Sequence, residues 1–171
     1  DSPLAVEATS AFKLNPECYD AEIRAFMQSP DVRNPFGFDD LTYIRKVEES
    51  KRLNFEREPC IIISASGMVE FGRILHHVKN RIEDPRTTIL ITGWQAPHTL
   101  GRRLVEGAEE VKIFGEPYQR KAQVEVLNGF SGHADKDELL HWFGSMKQRP
   151  EHTYLVHGEE DSALALAESL K

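Results

Sequence analysis

His133 and His157 stand near the two ends of one stretch, Asn128 to Glu159, which reads NGFSGHADKDELLHWFGSMKQRPEHTYLVHGE. Imidazole exchanges a proton near neutral pH and ligates metals through either ring nitrogen, so a pair of loop histidines is a candidate site. Between them, Leu139, Trp142, Phe143 and Met146 recur at helical spacing and predict an amphipathic helix. Asp135 is placed to cap its start, with Glu138 reaching back in a variant of the capping box. Thr153 to Val156 predicts a short strand that Gly158 ends. His133 would then precede a helix and His157 follow a strand. In an α/β layer both side chains could reach one crevice at the carboxyl ends of the strands. The plainer alternative is two loop histidines bonded to backbone.

Further back, two small-residue loops suit an anion. Ser64, Ser66, Gly67 and Met68 lie in one (SASGM), and Gly93, Gln95 and Thr99 in the other. Backbone N–H groups at a helix N-terminus flanked by Ser and Gly can receive a phosphate, though a tight turn needing small residues for packing has the same composition. Neither a P-loop nor a G-x-G-x-x-G pattern is present, which argues against P-loop nucleotide hydrolysis and dinucleotide binding. The adjacent pair His76-His77 points about 100° apart on a helix and makes no chelate, so both read as helix-surface or boundary residues. Trp94 could stack on a base or pack in a core, and Arg102 and Arg103 could reach a phosphate or face solvent. His98, His141 and His152 carry no recognisable spacing. A zinc site needs three or four ligands. The chain offers His157, His133 and nearby Asp135, Glu159 and Asp161 but no H-x-H-x-D-H cluster, so these residues alone should not hold a catalytic metal.

The elements that position these loops alternate. Leu4 to Leu14 is a predicted helix opened by Ser2-Pro3, and Pro16 begins a second with Tyr19, Ile23, Phe26 and Met27 as its apolar stripe. Ser29 to Asp40 reads as a loop, and Leu41 to Phe55 as charged and helical in its middle, with Arg45, Lys46, Lys51 and Arg52 as surface charges. Cys60 to Ser64 (CIIIS) has the continuous apolar run of a strand buried on both faces. Val69 to Ile82 predicts a helix with Phe71, Ile74, Leu75, Val78 and Ile82 on one stripe; Thr87 to Thr92 a strand; Thr99 to Glu106 a helix; Val111 to Phe114 a third strand; and Gln123 to Leu127 another. The alternation implies an α/β fold with a parallel sheet flanked by helices and right-handed crossovers.

At 171 residues, 40% hydrophobic and 29% charged, the chain suits one good core or two small ones. Its formal net charge of -7 argues against a general polyanion binder but leaves room for a local basic or amide-lined groove. Cys18 and Cys60 give neither a zinc pattern nor a disulfide framework, pointing to a reducing cytoplasm; no apolar run spans a bilayer and no signal peptide is seen. The start at Asp1 and the stop at Lys171 inside a helical pattern suggest a piece of a longer protein.

GFSGHAD followed by YLVHGE resembles the C-terminal part of the β-CASP metallo-β-lactamase proteins, which process RNA and in some branches DNA. DSPLA, SASGM with GRILHHV, and GWQAPHTLGRRL also resemble that family, so the likeness covers nearly the whole chain with its motifs in order. The resemblance implies that residues 1–116 form the greater part of a β-CASP domain. Residues 117–171 would be the returning C-terminal portion of a metallo-β-lactamase αββα fold. It makes His133 the motif B histidine that helps protonate the leaving oxygen, and His157 the motif C histidine that ligates one of two zinc ions. A histidine at that position points to RNA rather than DNA. Ser64, Ser66, Gly67 and Met68 match the loop that contacts RNA phosphates. Two zincs would activate water for in-line attack on a phosphodiester. The family's H-x-H-x-D-H ligands, further zinc ligands and motif A acid would lie upstream of Asp1. The expectation is therefore a zinc-dependent ribonuclease in the complete parent, with two zinc ions there and none held by this chain alone, which would be inactive. Single-stranded RNA is the expected partner and a homodimer is an admissible assembly; a membrane is not expected. The alternative is a non-catalytic RNA-binding or scaffold member of the same family.

Overall fold

In the computed structural model, residues 1–28, 36–130 and 132–170 are described; the early part of the expected 29–40 loop and Ser131 of the GFSGHAD motif lie outside them. The chain divides into two compact units, Asp1–Phe130 and Ser131–Lys171.

The first unit opens with α1 (Pro3–Leu14), where Ser2 caps the helix by accepting from the Ala5 N–H and Pro3 occupies its first turn. The helix expected from Pro16 is divided. Pro16–Cys18 is a single 3-10 turn, and α2 (Ala21–Met27) starts afresh because Asp20 turns extended and accepts from the Ile23 N–H at 2.8 Å. After α3 (Val47–Leu53), the CIIIS run differs from expectation. It joins no strand among the described residues, and Ile61 and Ile63 are 91% and 74% exposed. A continuous apolar run records hydrophobicity but not the neighbour that must cover it. Its far end is tied instead to Asp1, whose amino group donates to the Ile63 carbonyl and whose own carbonyl accepts from Ser64 Oγ at 2.8 Å.

Helix α4 (Gly72–Arg81) starts three residues later than the apolar stripe suggests. Val69 sits at φ 58, in the left-handed region where a β-branched residue cannot continue a helix, and Phe71 is left exposed. Strand β1 (Thr88–Ile91), α5 (Leu100–Val105) and β2 (Glu110–Ile113) follow as expected. The pairing departs from a run of three parallel strands. β2 folds back on β3 (Glu116–Gln119) as an antiparallel hairpin through Phe114 and Gly115, both at positive φ, which is the two-residue turn that matches strand twist. A phenylalanine there is no turn signal, and Pro117 disguises a strand that pairs along one edge. The parallel pair is β1 with β4 (Gln123–Val126), in register from Thr88 against Gln123 to Ile91 against Val126. An α/β core with a parallel pair and flanking helices is thus in place. Val69, Leu75, Val78, Ile82, Ile89, Ile91, Leu100, Leu104, Val111, Ile113 and Ala122 form its apolar centre. Each large side chain there contributes about 1.5–3 kcal/mol by leaving water.

The second unit contains α6 (Lys136–Gly144) and α7 (Glu160–Ser169). The expected capping box is present: Asp135 Oδ1 accepts from the Glu138 N–H at 2.9 Å, and the Asp135 N–H donates to Glu138 Oε2 at 3.0 Å. Thr153–Val156 forms no strand; Tyr154 and Val156 are 82% and 80% exposed, with no strand beside them among the described residues. None of the described residues of this unit is buried. Among the described residues of the chain, no helix is long and apolar enough to cross a membrane.

Burial dictates where the chain opens first. Hydrogen exchange on the isolated chain should show α6 and α7 opening at a cost of about 2 kcal/mol or less, and α4, β1 and β4 only near global unfolding. Equal protection in both units would contradict this reading.

Candidate functional site

The 64–68 loop is built on a buried carboxylate. The Asp1 side chain is 1% exposed and accepts from Arg73 Nη1 at 2.6 Å, from His77 Nε2 at 2.7 Å and from Ser50 Oγ. Arg73 also donates to the Ile44 and Arg45 carbonyls, and Ser64 Oγ donates to the Asp1 carbonyl. Residues from α3, α4 and the loop thereby converge on one residue. His77 corrects the surface reading given to the His76-His77 pair: it is 5% exposed, whereas His76 lies 4.8 Å from the Phe114 ring on the exposed side. Burial holds its pKa below the ordinary histidine value, and the nearby positive charges of Arg73 and Arg81 act in the same direction. Its Nδ1 lies 2.9 Å from Asn54 Oδ1, so both ring nitrogens are engaged.

The loop itself is a turn closed by the Val69 N–H donating to the Ser66 carbonyl at 3.1 Å. Its next two carbonyls are also taken from inside. Gln95 Nε2 donates to the Gly67 carbonyl at 3.0 Å, and the Gly101 N–H donates to the Met68 carbonyl at 3.0 Å. Gly67 is exposed, while Ser64, Ser66 and Met68 are half-buried. Among the described residues neither the Gly67 nor the Met68 N–H has an acceptor. A trans peptide sets its C=O and N–H in opposite directions, so inward carbonyls leave these two amides facing out, an arrangement that suits an anion.

The second small-residue loop behaves differently. Its helix, α5, is capped from within: Thr99 Oγ1 accepts from the Arg102 N–H and Glu70 Oε1 from the Leu100 N–H, so a carboxylate of the chain already sits where an external anion would. Arg102 is engaged with Glu106 at 2.6 Å. Trp94 is 60% exposed. Beside it, Gln95 is 5% exposed and its Nε2 donates to the Gly67, Gly93 and Trp94 carbonyls, while its Oε1 has no partner. An unsatisfied buried acceptor costs about 1–3 kcal/mol.

His133 and His157 both lie in the second unit. His133 is exposed, two residues ahead of the α6 cap, and lines a shallow cavity with Gly132, Ala134, Glu138, Leu139 and Trp142. His157 is exposed at φ 68 and followed by Gly158 at φ 100, ahead of the α7 cap at Glu159; it is not among that cavity's lining residues. The described residues contain no group of three His, Cys, Asp or Glu side chains that could hold a metal ion. They therefore do not by themselves fit a zinc centre.

Asp1, Ser50, Arg73, His77 and Gln95 are the residues that sequence spacing did not single out for the roles seen here. A carboxylate and its partners separated by 49 to 76 positions leave no local pattern. His77→Ala removes one wall of this buried cluster and should lower stability by about 2–3 kcal/mol, read by urea unfolding at pH 7.5. Because the folded-state pKa of His77 is depressed, its contribution is complete above about pH 6.5 and is lost as pH falls through the folded value. The unfolding midpoint of the unmodified chain should fall over that window, and His77→Ala should flatten the dependence.

A Beta-Casp domain family model matches residues 1–104, and a Zn-dependent metallo-hydrolase RNA specificity domain model matches residues 117–171. The chain is 38% identical to a ribonuclease of Thermus thermophilus over 171 residues, covering 99% of this chain and 38% of that protein. It is 31% identical to the transcription termination factor FttA of Methanosarcina mazei over 169 residues, 96% of this chain and 26% of that protein. An RNase J-like protein of Methanocaldococcus jannaschii is 39% identical over 134 residues, 78% of this chain and 30% of the relative. The chain thus spans well under half the length of these relatives. The first of the two family models alone covers more than half of the chain, and on that ground the chain belongs to the β-CASP family of metallo-β-lactamase-fold proteins.

Proposed function

We propose that this chain is the RNA-gripping part of a longer zinc-dependent ribonuclease that hydrolyses RNA phosphodiesters. The observation that carries the reading is the 64–68 loop, which presents two unengaged backbone amides from a carboxylate-anchored turn. Amides without a formal charge suit a phosphate on a chain whose net charge of -7 repels polyanions elsewhere. The matched RNA specificity domain and the names of the ribonuclease and RNase J-like relatives support RNA as the substrate.

In this reading Ser64, Ser66, Gly67 and Met68 hold a phosphate, His133 protonates the leaving oxygen and His157 contributes one ligand to a zinc site completed by other parts of the protein. Residues 1–116 act as the β-CASP domain and residues 117–171 return to the metallo-β-lactamase domain. The isolated chain binds RNA without cutting it. A cytoplasmic setting belongs to the same proposal and is supported by two exposed, unpaired cysteines.

The test is cleavage of end-labelled single-stranded RNA by the protein carrying this chain in its complete natural sequence. Cleavage should be lost on adding a chelator, and His157→Ala should lower kcat by at least about 100-fold. RNA binding with no cleavage under any metal condition would replace the nuclease by a non-catalytic RNA-binding member of the family.

A further inference from the structure

We propose that Gln95 is the positioning residue of the phosphate loop: its side-chain amide holds the Gly67 carbonyl inside the fold and so turns the Met68 N–H outward, beside that of Gly67, to take a phosphodiester oxygen of single-stranded RNA. This inference rests on the RNA-binding reading above and deepens it.

Gln95 is a buried polar side chain, 5% exposed, whose hydrogen bonds are all made by one atom. Its Nε2 faces three carbonyl oxygens, of Gly67 at 3.0 Å, Gly93 at 3.0 Å and Trp94 at 3.1 Å. Those acceptors fix which end of the amide is nitrogen, since the reversed orientation would set oxygen against three oxygens. The cost of that orientation appears on the other atom. Oε1 is buried without a partner and lies against Gly101, where a β-carbon would stand 1.7 Å from it and 3.0 Å from the Met68 carbonyl. Gly101 therefore serves twice, since its missing side chain admits Gln95 and its N–H takes the Met68 carbonyl. The Gln95 side chain thus forgoes satisfaction of its own oxygen to tie the 64–68 loop to the 93–95 loop.

The geometry decides what this tie controls. Gly67 C=O and Met68 N–H belong to one peptide unit and point in opposite directions. Holding the first inside aims the second outside. In the preceding unit the Ser66 carbonyl is held by the Val69 N–H, which leaves the Gly67 N–H directed away from that bond. Without Gln95 the central peptide of the turn is free to rotate, which would bring a carbonyl oxygen toward the phosphate and repel it.

The experiment uses the isotopically labelled chain, a single-stranded octauridine RNA and the Gln95→Met variant. Methionine keeps the volume but removes both the donor and the orphan acceptor, so its melting temperature should stay close to that of the unmodified chain. Its Kd for the RNA should rise about tenfold, and the RNA-induced shifts of the Gly67 and Met68 amide resonances should disappear. An unchanged Kd with the same two amides shifting would overturn the role of Gln95 and leave the RNA reading intact. Absence of RNA binding by the unmodified chain would overturn both. Should Gln95→Met fail to fold, hydrogen exchange on the unmodified chain decides: Gly67 and Met68 amides should exchange freely alone and slow on adding RNA, while Val69 and Gly101 stay protected throughout. Protection of Gly67 and Met68 without RNA, or no slowing with it, would overturn the proposal.

Discussion

The first unit depends on one buried negative charge. A carboxylate removed from water is tolerable only when donors replace its hydration, and Asp1 has a guanidinium, an imidazole and a hydroxyl doing so. Such a cluster adds little net stability over an apolar core of equal volume, but it permits few geometries. Arg73 and His77 are one turn apart on α4, so the carboxylate fixes the rotation of that helix, and Ser50 brings α3 to the same point. The backbone of the same residue fastens Ile63 and Ser64. The entry to the 64–68 loop is thereby set before its first exposed peptide.

The other end of that loop is set by apolar packing and by amides. Val69 is 3% exposed and adopts a backbone conformation unfavourable for a β-branched residue, which its burial in the core sustains. Gln95 and Gly101 take the intervening carbonyls. The loop is therefore clamped from three sides while the Gly67 and Met68 N–H groups stay unengaged, and in the proposed role such rigidity before a ligand arrives favours binding. The neighbouring helix end, already occupied by Glu70, shows the opposite arrangement, with the anion built into the chain.

Much of this was legible in the sequence, for identifiable reasons. Helices with local caps, such as α1 with Ser2-Pro3 and α6 with its Asp135–Glu138 box, announce themselves within four residues. The parallel strands β1 and β4 follow from short apolar runs between helices, and the small-residue loop SASGM falls where the alternation of elements places it. Illegible features all depend on partners far along the chain. The CIIIS run and Thr153–Val156 have strand composition, but composition does not supply a neighbouring strand. Phe114 at positive φ and Pro117 in an edge strand hide the β2–β3 hairpin. His77 reads as a helix-surface or boundary histidine because the carboxylate that buries it is 76 positions away. The motif resemblance reached the family through order and identity of short peptides, which needs no knowledge of those distant contacts.

The most direct test of the central claim, that the buried carboxylate sets from behind the loop proposed to grip RNA, is the affinity of the chain for single-stranded RNA before and after Asp1→Asn, measured well below the melting temperature of both forms. Asparagine keeps the shape and the backbone bonds to Ile63 and Ser64 but cancels the charge that orients Arg73. The account predicts a Kd raised at least about fivefold, equivalent to about 1 kcal/mol, in a variant that touches no RNA itself. Identical affinity in the two forms would contradict it.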